Sequence, residues 1–363
     1  MTEDRQFVTL VVPTHNRHAF LPRIADYHRA GPLDVLVVDS TDQPYAGPVP
    51  LDGIGYRHVP GQSFSAKIRE VLASLDVPFV VLGGDDDFVV PGAVLRGAQV
   101  LHDDPAVTTV QGRRFGFWCH RRAVEVSPYP ANQESSLLGA TPLERTRALL
   151  SAAGYRDLFY AVHRTGELLD ALEDCEKIAR ALYLQELLSG VHAMALGEHR
   201  HLDQLFCMRQ SMLAGGTYTE ASIGSIIYES TLPEELATFY DLCIGYVEQS
   251  TDAGDADAGS LAPVVTELLS AELDRQAGGR QVWQRRARGR QLLERLGLFD
   301  PRVRHLRRHI RELLGNTTRR RMVAPYGRGL PPSVTRLALS PGDTDELARA
   351  MSIVSRYPQT HVG

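Results

Sequence analysis

Gly83-Gly84-Asp85-Asp86-Asp87-Phe88 follows directly on the apolar run Val77-Pro78-Phe79-Val80-Val81-Leu82. The run has the length and β-branched content of a buried strand, and the paired glycines mark a place where another group approaches the backbone closely. Three consecutive carboxylates at the C-terminal edge of a strand repel one another. A divalent cation would remove that repulsion, and oxygen ligands suit Mg²⁺ or Mn²⁺. A solvated acidic turn would give the same three letters, so the surrounding chain has to decide.

Upstream, Phe7 to Val12 forms a short apolar run ended by Pro13, and Thr14 or Asn16 is placed to cap a helix beginning near His18. A second run, Asp34 to Val38, leads straight into Asp39-Ser40-Thr41-Asp42, and a weaker third, Ile54 to Val59, ends at Pro60-Gly61. Ser65 to Leu75 reads as a helix, as does the segment from Pro91 to about His102, which is followed by a strand from Ala106 to Gln111. Strands alternating with helices of about ten residues predict an α/β fold with a mainly parallel, Rossmann-like sheet flanked by helices. Ligands in such sheets bind beyond the carboxyl ends of the strands. Thr14, Asp39, Gly61 and Asp85 each stand just after a strand end, so four polar or glycine positions converge on one edge.

Downstream, Gly112 to Trp118 reads as an extended segment lining a cleft, Ser127 to Ala140 as a loop, and Pro142 to Ala153 as a helix. Leu158 to Val162 reads as a strand, and two helices cover Thr165 to Asp174 and Ile178 to Leu196. From about Ser211 the pattern turns helical, near Pro233 to Gln249, Ser260 to Arg275, Gln281 to Leu296 and Pro301 to Leu314, with a flexible acidic linker at 250–260. Two regions are expected: 1–212, with a donor half to about 112 and an acceptor half beyond it, and a mainly helical C-terminal extension, 213–363.

The order of motifs resembles family 2 of the glycosyltransferases, the inverting nucleotide-sugar enzymes of the GT-A fold. The matching pieces are Val11-Val12-Pro13-Thr14-His15-Asn16-Arg17, Val37-Val38-Asp39-Ser40-Thr41, Gly61 with Ser65-Ala66-Lys67, and Leu82-Gly83-Gly84-Asp85-Asp86-Asp87. Leu184-Gln185-Glu186-Leu187-Leu188 stands where the family has its acidic pair, and Leu205-Phe206-Cys207-Met208-Arg209 resembles its arginine-ended closing strand. The resemblance spans roughly Phe7 to Arg209.

It implies that Pro13, Thr14, Asn16, Arg17, Asp39, Lys67, Asp85 and Asp86 contact the donor nucleotide. It further implies that Asp85 and Asp87 hold Mn²⁺ or Mg²⁺ and that Glu186 is the catalytic base. Asp157, Glu167 and Asp203 are the other candidate bases. Trp118, His163 and Arg164 are candidate acceptor contacts, although an aromatic core patch would account for Trp118, and a histidine after an apolar strand is more often a satisfied surface residue. The sequence departs from the family where Ser40 follows Asp39, where Lys67 replaces an arginine, and where Gln185 precedes Glu186.

The implied activity is transfer of a sugar from a nucleotide-diphosphate sugar to a hydroxyl of a saccharide or small natural product. A nucleotidyltransferase on a similar sheet would want a glycine-rich basic loop after the first strand, which Pro13-Thr14-His15-Asn16 does not supply. A non-catalytic protein binding a partner through its sheet edge is the third possibility.

Composition excludes other classes. The 363 residues carry a net charge of −5, so no global basic field draws in nucleic acid. Only Lys67 and Lys177 are lysines, so arginine is the default cation and single arginines carry little information. The arginine-rich stretch Arg285 to Arg321 reads first as a solvated helical face, with a membrane surface or a second copy of the chain as its other partners. Cys119, Cys175, Cys207 and Cys243 are too far apart for a CxxC zinc site and fit a reducing compartment. No apolar run approaches the ~20 residues needed to cross a bilayer, and Met1 to Gln6 is polar and acidic, so a cytoplasmic location is expected.

Overall fold

The computed structural model describes residues 7–120, 123–129, 134–151, 157–210, 226, 232–251, 261–277, 322–326, 330, 334, 337 and 339–357. Its N-terminal half is the expected parallel sheet. Strands β1 (Val8–Thr14), β2 (Asp34–Asp39), β3 (Gly55–His58) and β4 (Phe79–Leu82) lie in the order β3-β2-β1-β4, all parallel. Period-two alternation gives each face its own core. Leu10 and Val12 of β1 pack with Ile24 of α1 (Leu21–His28) and Val94 of α3 (Pro91–Asp103). Val11 faces the other way, against Ile68 of α2 (Phe64–Leu72) and Leu172 of α5 (Thr165–Cys175). Helices therefore cover both faces, and the carboxyl ends of four parallel strands open on one edge.

Beyond β4 the sheet becomes mixed. The short strand β8 (Val162–Arg164) runs antiparallel to both β4 and the long strand β6 (Val107–His120), joining the two halves. Strand β6 pairs antiparallel with β7 (Ala123–Pro128) and parallel with β9 (Glu198–Gln210). The extended segment expected at Gly112–Trp118 is thus the second half of β6. A two-residue strand, β5 (Phe88–Val89), ties the acidic run to β9 by pairing Phe88 with Met208 and Val89 with Cys207.

A separate apolar cluster forms between α4 (Pro142–Leu150), α6 (Leu182–Leu196), the helix Pro233–Gln249 and the helix at 261–277. The last described part of the chain returns to the main sheet. Strand β10 (Met322–Pro325) extends it beside β7, and the helix Pro341–Arg356 packs on α1, where the Tyr27 hydroxyl donates to Glu346 at 2.7 Å. Met322, Leu347 and Ile353 share one core with β1, so the region after 212 does not form a core of its own throughout.

Two local expectations fail for physical reasons. Neither Thr14 nor Asn16 caps a helix: a 3₁₀ turn, His18–Phe20, precedes α1 without a side-chain cap, and the Thr14 hydroxyl is used elsewhere. Leu158–Tyr160 is a 3₁₀ turn instead of a strand, because Leu158 enters the helical cluster while Phe159 enters the α2–α5 core. Most of the linker at 250–260 and all of Arg285–Arg321 lie outside the described residues. Among the described residues no helix is long and apolar enough to cross a membrane.

One buried group makes an acid-stability prediction. His28, at the end of α1, is 2% exposed, and neither ring nitrogen has a hydrogen-bond partner among the described residues. Burial, with Arg349 nearby, pushes its pKa down to about 3. The unfolded chain therefore binds a proton that the folded chain refuses, and stability falls as pH drops from the ordinary histidine value toward 3. One such group contributes a slope of about 1.4 kcal/mol per pH unit in that window. His28→Leu is expected to remove that slope between pH ~6 and ~4, as measured by urea unfolding at a series of pH values.

Candidate functional site

The site grows from the end of β4. Gly83 continues the pairing, donating its N–H to the Val11 carbonyl at 3.0 Å, and a tight turn then closes with Asp87 N–H on the Gly84 carbonyl at 3.1 Å. A Cβ on Gly84 would sit 2.9 Å from the Asp86 carboxylate and 3.0 Å from that of Asp87, so a larger residue there would push both acids out of their places. The three carboxylates then meet overlapping sets of partners, with Arg17 shared by the first two. Asp85 accepts from the Thr14 hydroxyl at 2.6 Å and lies 3.3 Å from the Arg17 Nε. Asp86 accepts from Arg17 Nη2 at 2.6 Å, while its backbone carbonyl accepts from Arg23 at 3.0 Å. Asp87 accepts from the backbone N–H of Gln210 at 3.1 Å and from Arg209 Nε at 3.2 Å.

The pairing of β5 with β9 explains the last set, because it delivers Arg209 and Gln210 to Asp87 across more than a hundred residues. Arg209 also pairs with Asp157. Arg23 is fully buried, stacks on Phe88 at 4.8 Å and donates to the Gln210 side chain at 2.5 Å. Burial pushes the Asp85 and Asp87 carboxyls up, to about 7, against the opposing pull of Arg17 on the first and Arg209 on the second.

This geometry corrects the expectation that the acidic run by itself demands a cation. Asp85, Asp86, Asp87 and Asp157 are met by Arg17, Arg23, Arg209 and Lys67, so their mutual repulsion is answered within the protein. Among the described residues no group of three or more His, Cys, Asp or Glu is disposed to hold a metal ion. A cation that arrives with phosphate groups still fits, because Mg²⁺-type sites use one or two carboxylates with substrate oxygens and water. Each Asp87 oxygen accepts a single hydrogen bond and keeps a further lone-pair position for a ligand bond.

The ends of β1 and β2 supply the adjoining floor. Pro13 is buried and in register with Val38, whereas Asn16 is exposed with φ 55°, turning the chain outward at the strand end. Asp39 is fully buried. Its Oδ2 takes hydrogen bonds from His18 and Tyr56, each at 2.6 Å, and its Oδ1 from Thr41 N–H at 2.9 Å. Although burial raises its pKa, those bonds from Thr41, Tyr56 and His18 bring it below the ordinary carboxylate value. Asp39 therefore orients the half-exposed His18 and Tyr56 at the strand end.

Lys67 reaches the same strand ends from below. It is fully buried on α2 and donates to the Thr14 carbonyl at 2.6 Å and to Ser40 Oγ at 3.1 Å, bracing the ends of β1 and β2. Burial lowers its pKa to about 8, opposed by Asp85 and Asp39. Lys67→Met is expected to raise the KM for a nucleotide donor more than that for the acceptor, through the loosened Thr14 segment. Steady-state kinetics with each substrate varied in turn measures this, and equal small changes would assign Lys67 to packing alone.

On the acceptor side, Glu186 lies half-buried in the second turn of α6 and accepts from the Tyr160 hydroxyl at 2.9 Å. The Arg209 guanidinium lies 4.6 Å from the centre of the Tyr160 ring. Asp87, Arg209, Tyr160 and Glu186 thus form one continuous series from the acidic turn to the candidate base. The rival bases are spoken for: Asp157 is buried against Arg209, Glu167 pairs with Arg164, and the exposed Asp203 pairs with Arg113.

Three expected acceptor contacts do not join this group. His163 is buried in mid-sheet with its Nε2 on the Leu158 carbonyl at 2.8 Å. Arg164 caps the carbonyls of Leu101, Asp104 and Val107, beside Phe79 at the opposite end of β4. Trp118 is buried, as are Phe115 and Phe117, which belong to the main core. Arg23, Tyr160 and Gln210 enter the site without having been singled out in the sequence.

No family model and no curated protein sequence matches this chain. Among solved structures it is similar to TarS of S. aureus in complex with UDP, at 14% identity over 73% of this chain and 71% of that one, with a TM-score of 0.45. TarS in complex with UDP-GlcNAc gives 12% identity, coverage of 77% and 92%, and a TM-score of 0.41. Glucosyl-3-phosphoglycerate synthase from Mycobacterium tuberculosis, in complex with Mn²⁺, UDP and glucosyl-3-phosphoglycerate, gives 11%, 66%, 80% and 0.35. Similarity at these levels assigns no activity, and function is argued from the residues of the site.

Proposed function

We propose that this protein is an inverting glycosyltransferase of the GT-A type, moving a sugar from a nucleoside-diphosphate donor to an acceptor hydroxyl. One observation carries the proposal. A cation-lined acidic turn at the carboxyl edge of a parallel sheet is linked through Arg209 and Tyr160 to a half-buried carboxylate, Glu186.

The chemistry follows from those residues. Thr14 and Arg17 fix the turn that receives the diphosphate, and Arg17, Arg209 and the more deeply set Arg23 offer positive charge where the leaving group gathers negative charge. The protein's own acids and bases are already balanced there, so a diphosphate brings charge that the site does not offset. Asp87, with Asp85 beside it, would hold a divalent cation that stabilises the departing diphosphate without moving protons. Glu186 accepts the proton of the acceptor hydroxyl as oxygen attacks the anomeric carbon, and the carbon–oxygen bond to the diphosphate breaks with its electron pair leaving on phosphate oxygen. Attack opposite the leaving group inverts the centre in one displacement.

The turn after β1 contains no glycine from Pro13 to Arg17, which weighs against a nucleotidyltransferase that must cradle a triphosphate. Incubation with a panel of nucleotide sugars and Mn²⁺, followed for release of the nucleoside diphosphate, tests the proposal. Release from at least one donor, stimulated by a hydroxyl acceptor, is expected; no release from any would leave a binding protein.

A further inference from the structure

Arg114 is 2% exposed, on β6, and its Nε and Nη2 are buried with no hydrogen-bond partner among the described residues. A guanidinium cannot shed its charge, and buried charged donors without acceptors are among the costlier features of a folded protein. The acid that touches this residue, Glu134, spends its Oε1 on the Arg114 backbone N–H at 3.0 Å. The Tyr129 ring lies over the guanidinium face at 4.8 Å, leaving the in-plane N–H groups as the remaining donors. Nε and Nη2 form a single edge of the fork, the edge that matches two oxygens of one carboxylate or phosphate.

The backbone is shaped at the same place. Pairing of β6 with β9 slips twice, between Gly112 and Arg113 and again between Arg113 and Arg114. Irregularities of this kind re-aim side chains and gather beside active sites. A Cβ on Gly112 would stand 2.5 Å from the Gln204 carbonyl, so the close approach of the two strands depends on that glycine. The slip leaves Arg114 in register with Cys207, two residues before Arg209. The charges of Arg114, Arg209, Asp87 and Asp157 all reach both the Tyr129 hydroxyl and the Cys207 thiol, which places Arg114 next to the acidic turn on its β6–β9 side.

We propose that Arg114 is the anion-recognising residue of the acceptor site, and that the acceptor carries an oxyanion, phosphate or carboxylate, near the hydroxyl that is glycosylated. The inference rests on the transferase reading for the word acceptor; the anion site itself does not. Seating an oxyanion on this edge supplies both a facing pair of oxygens for Nε and Nη2 and a negative charge in addition to that of Glu134. A neutral saccharide supplies neither.

The test compares wild type with Arg114→Met, which keeps length and removes charge, by thermal unfolding of the full chain. Inorganic phosphate and acetate are titrated separately, each with a saturating nucleoside diphosphate and Mn²⁺ to fill the donor's own phosphate positions. Phosphate or acetate at ten times its Kd is expected to raise the wild-type Tm by about 2 °C, and the anion that does so identifies the class. Arg114→Met is expected to lose that response and, without ligand, to melt at or above the wild-type temperature. Equal anion responses in the two proteins, no response in wild type, or a ligand-free Arg114→Met that melts well below wild type would overturn the proposal. If nucleoside diphosphates bind neither protein while the Arg114-dependent anion response persists, the donor reading fails and the anion site stands.

Discussion

Replacing Glu186 by Gln is expected to lower kcat by about 10²–10⁴-fold, the usual worth of general-base catalysis, with the donor's affinity unchanged. The substitution keeps the side chain's size and leaves an amide oxygen to accept the Tyr160 hydroxyl, now at 2.9 Å from the carboxylate. It touches none of the residues at the acidic turn. The selectivity of the effect is what matters: a loss confined to kcat places Glu186 on the acceptor's proton. A wild-type kcat would remove it from that role and return attention to Asp157, despite its pairing with Arg209. A loss of nucleotide affinity instead would mean that the series through Tyr160 and Arg209 couples the two substrates more tightly than the contacts suggest.

Asp87→Asn is expected to reduce turnover by at least about 10²–10³-fold, the loss that follows removal of one group stabilising developing charge. The amide can still accept the Gln210 N–H, now at 3.1 Å, but it weakens the bond to Arg209 and the ligand bond to a cation. Arg209 keeps Asp157, so the fold should survive and the far-ultraviolet circular dichroism should match wild type. The variant should also lose the effect of Mn²⁺ on nucleotide binding, read by calorimetry. Turnover that persists in this variant, and in wild type treated with EDTA, would remove the cation from the mechanism while leaving the fold in place.

The strand before Gly83, the glycine pair and the three acids were legible because they are consecutive, and the same holds for the parallel sheet through Val107. The counter-charges were not. Arg209 stood out as the end of the closing strand, but the acids it meets did not, and Arg23 and Arg114 are two of the many arginines in a chain with two lysines, where composition gives no reason to prefer one over another. The meeting of Arg209 with Asp87 comes from β5, a strand of two residues, which no periodicity announces. Lys67 is a different case. Phe64, Lys67, Ile68 and Val71 recur at the helical spacing of a buried stripe, and all four are buried, so its burial was there to be read in the pattern. Leu158 to Val162 misled because a continuous apolar run does not reveal whether it buries in one direction or in two. His163 and Arg164 then followed the run to the wrong surface.

Calorimetric titration of nucleoside diphosphates into the full-length chain, with and without Mn²⁺, tests the donor site most directly. The balanced charges of the ligand-free acidic turn predict that Mn²⁺ alone binds weakly. They predict equally that at least one nucleoside diphosphate binds with Mn²⁺ at least about tenfold more tightly than without it, a coupling of about 1.4 kcal/mol or more. Tight binding of Mn²⁺ to the nucleotide-free protein would contradict the charge balance, and the absence of binding by every nucleoside diphosphate, with or without the cation, would contradict the assignment of this edge as a donor site.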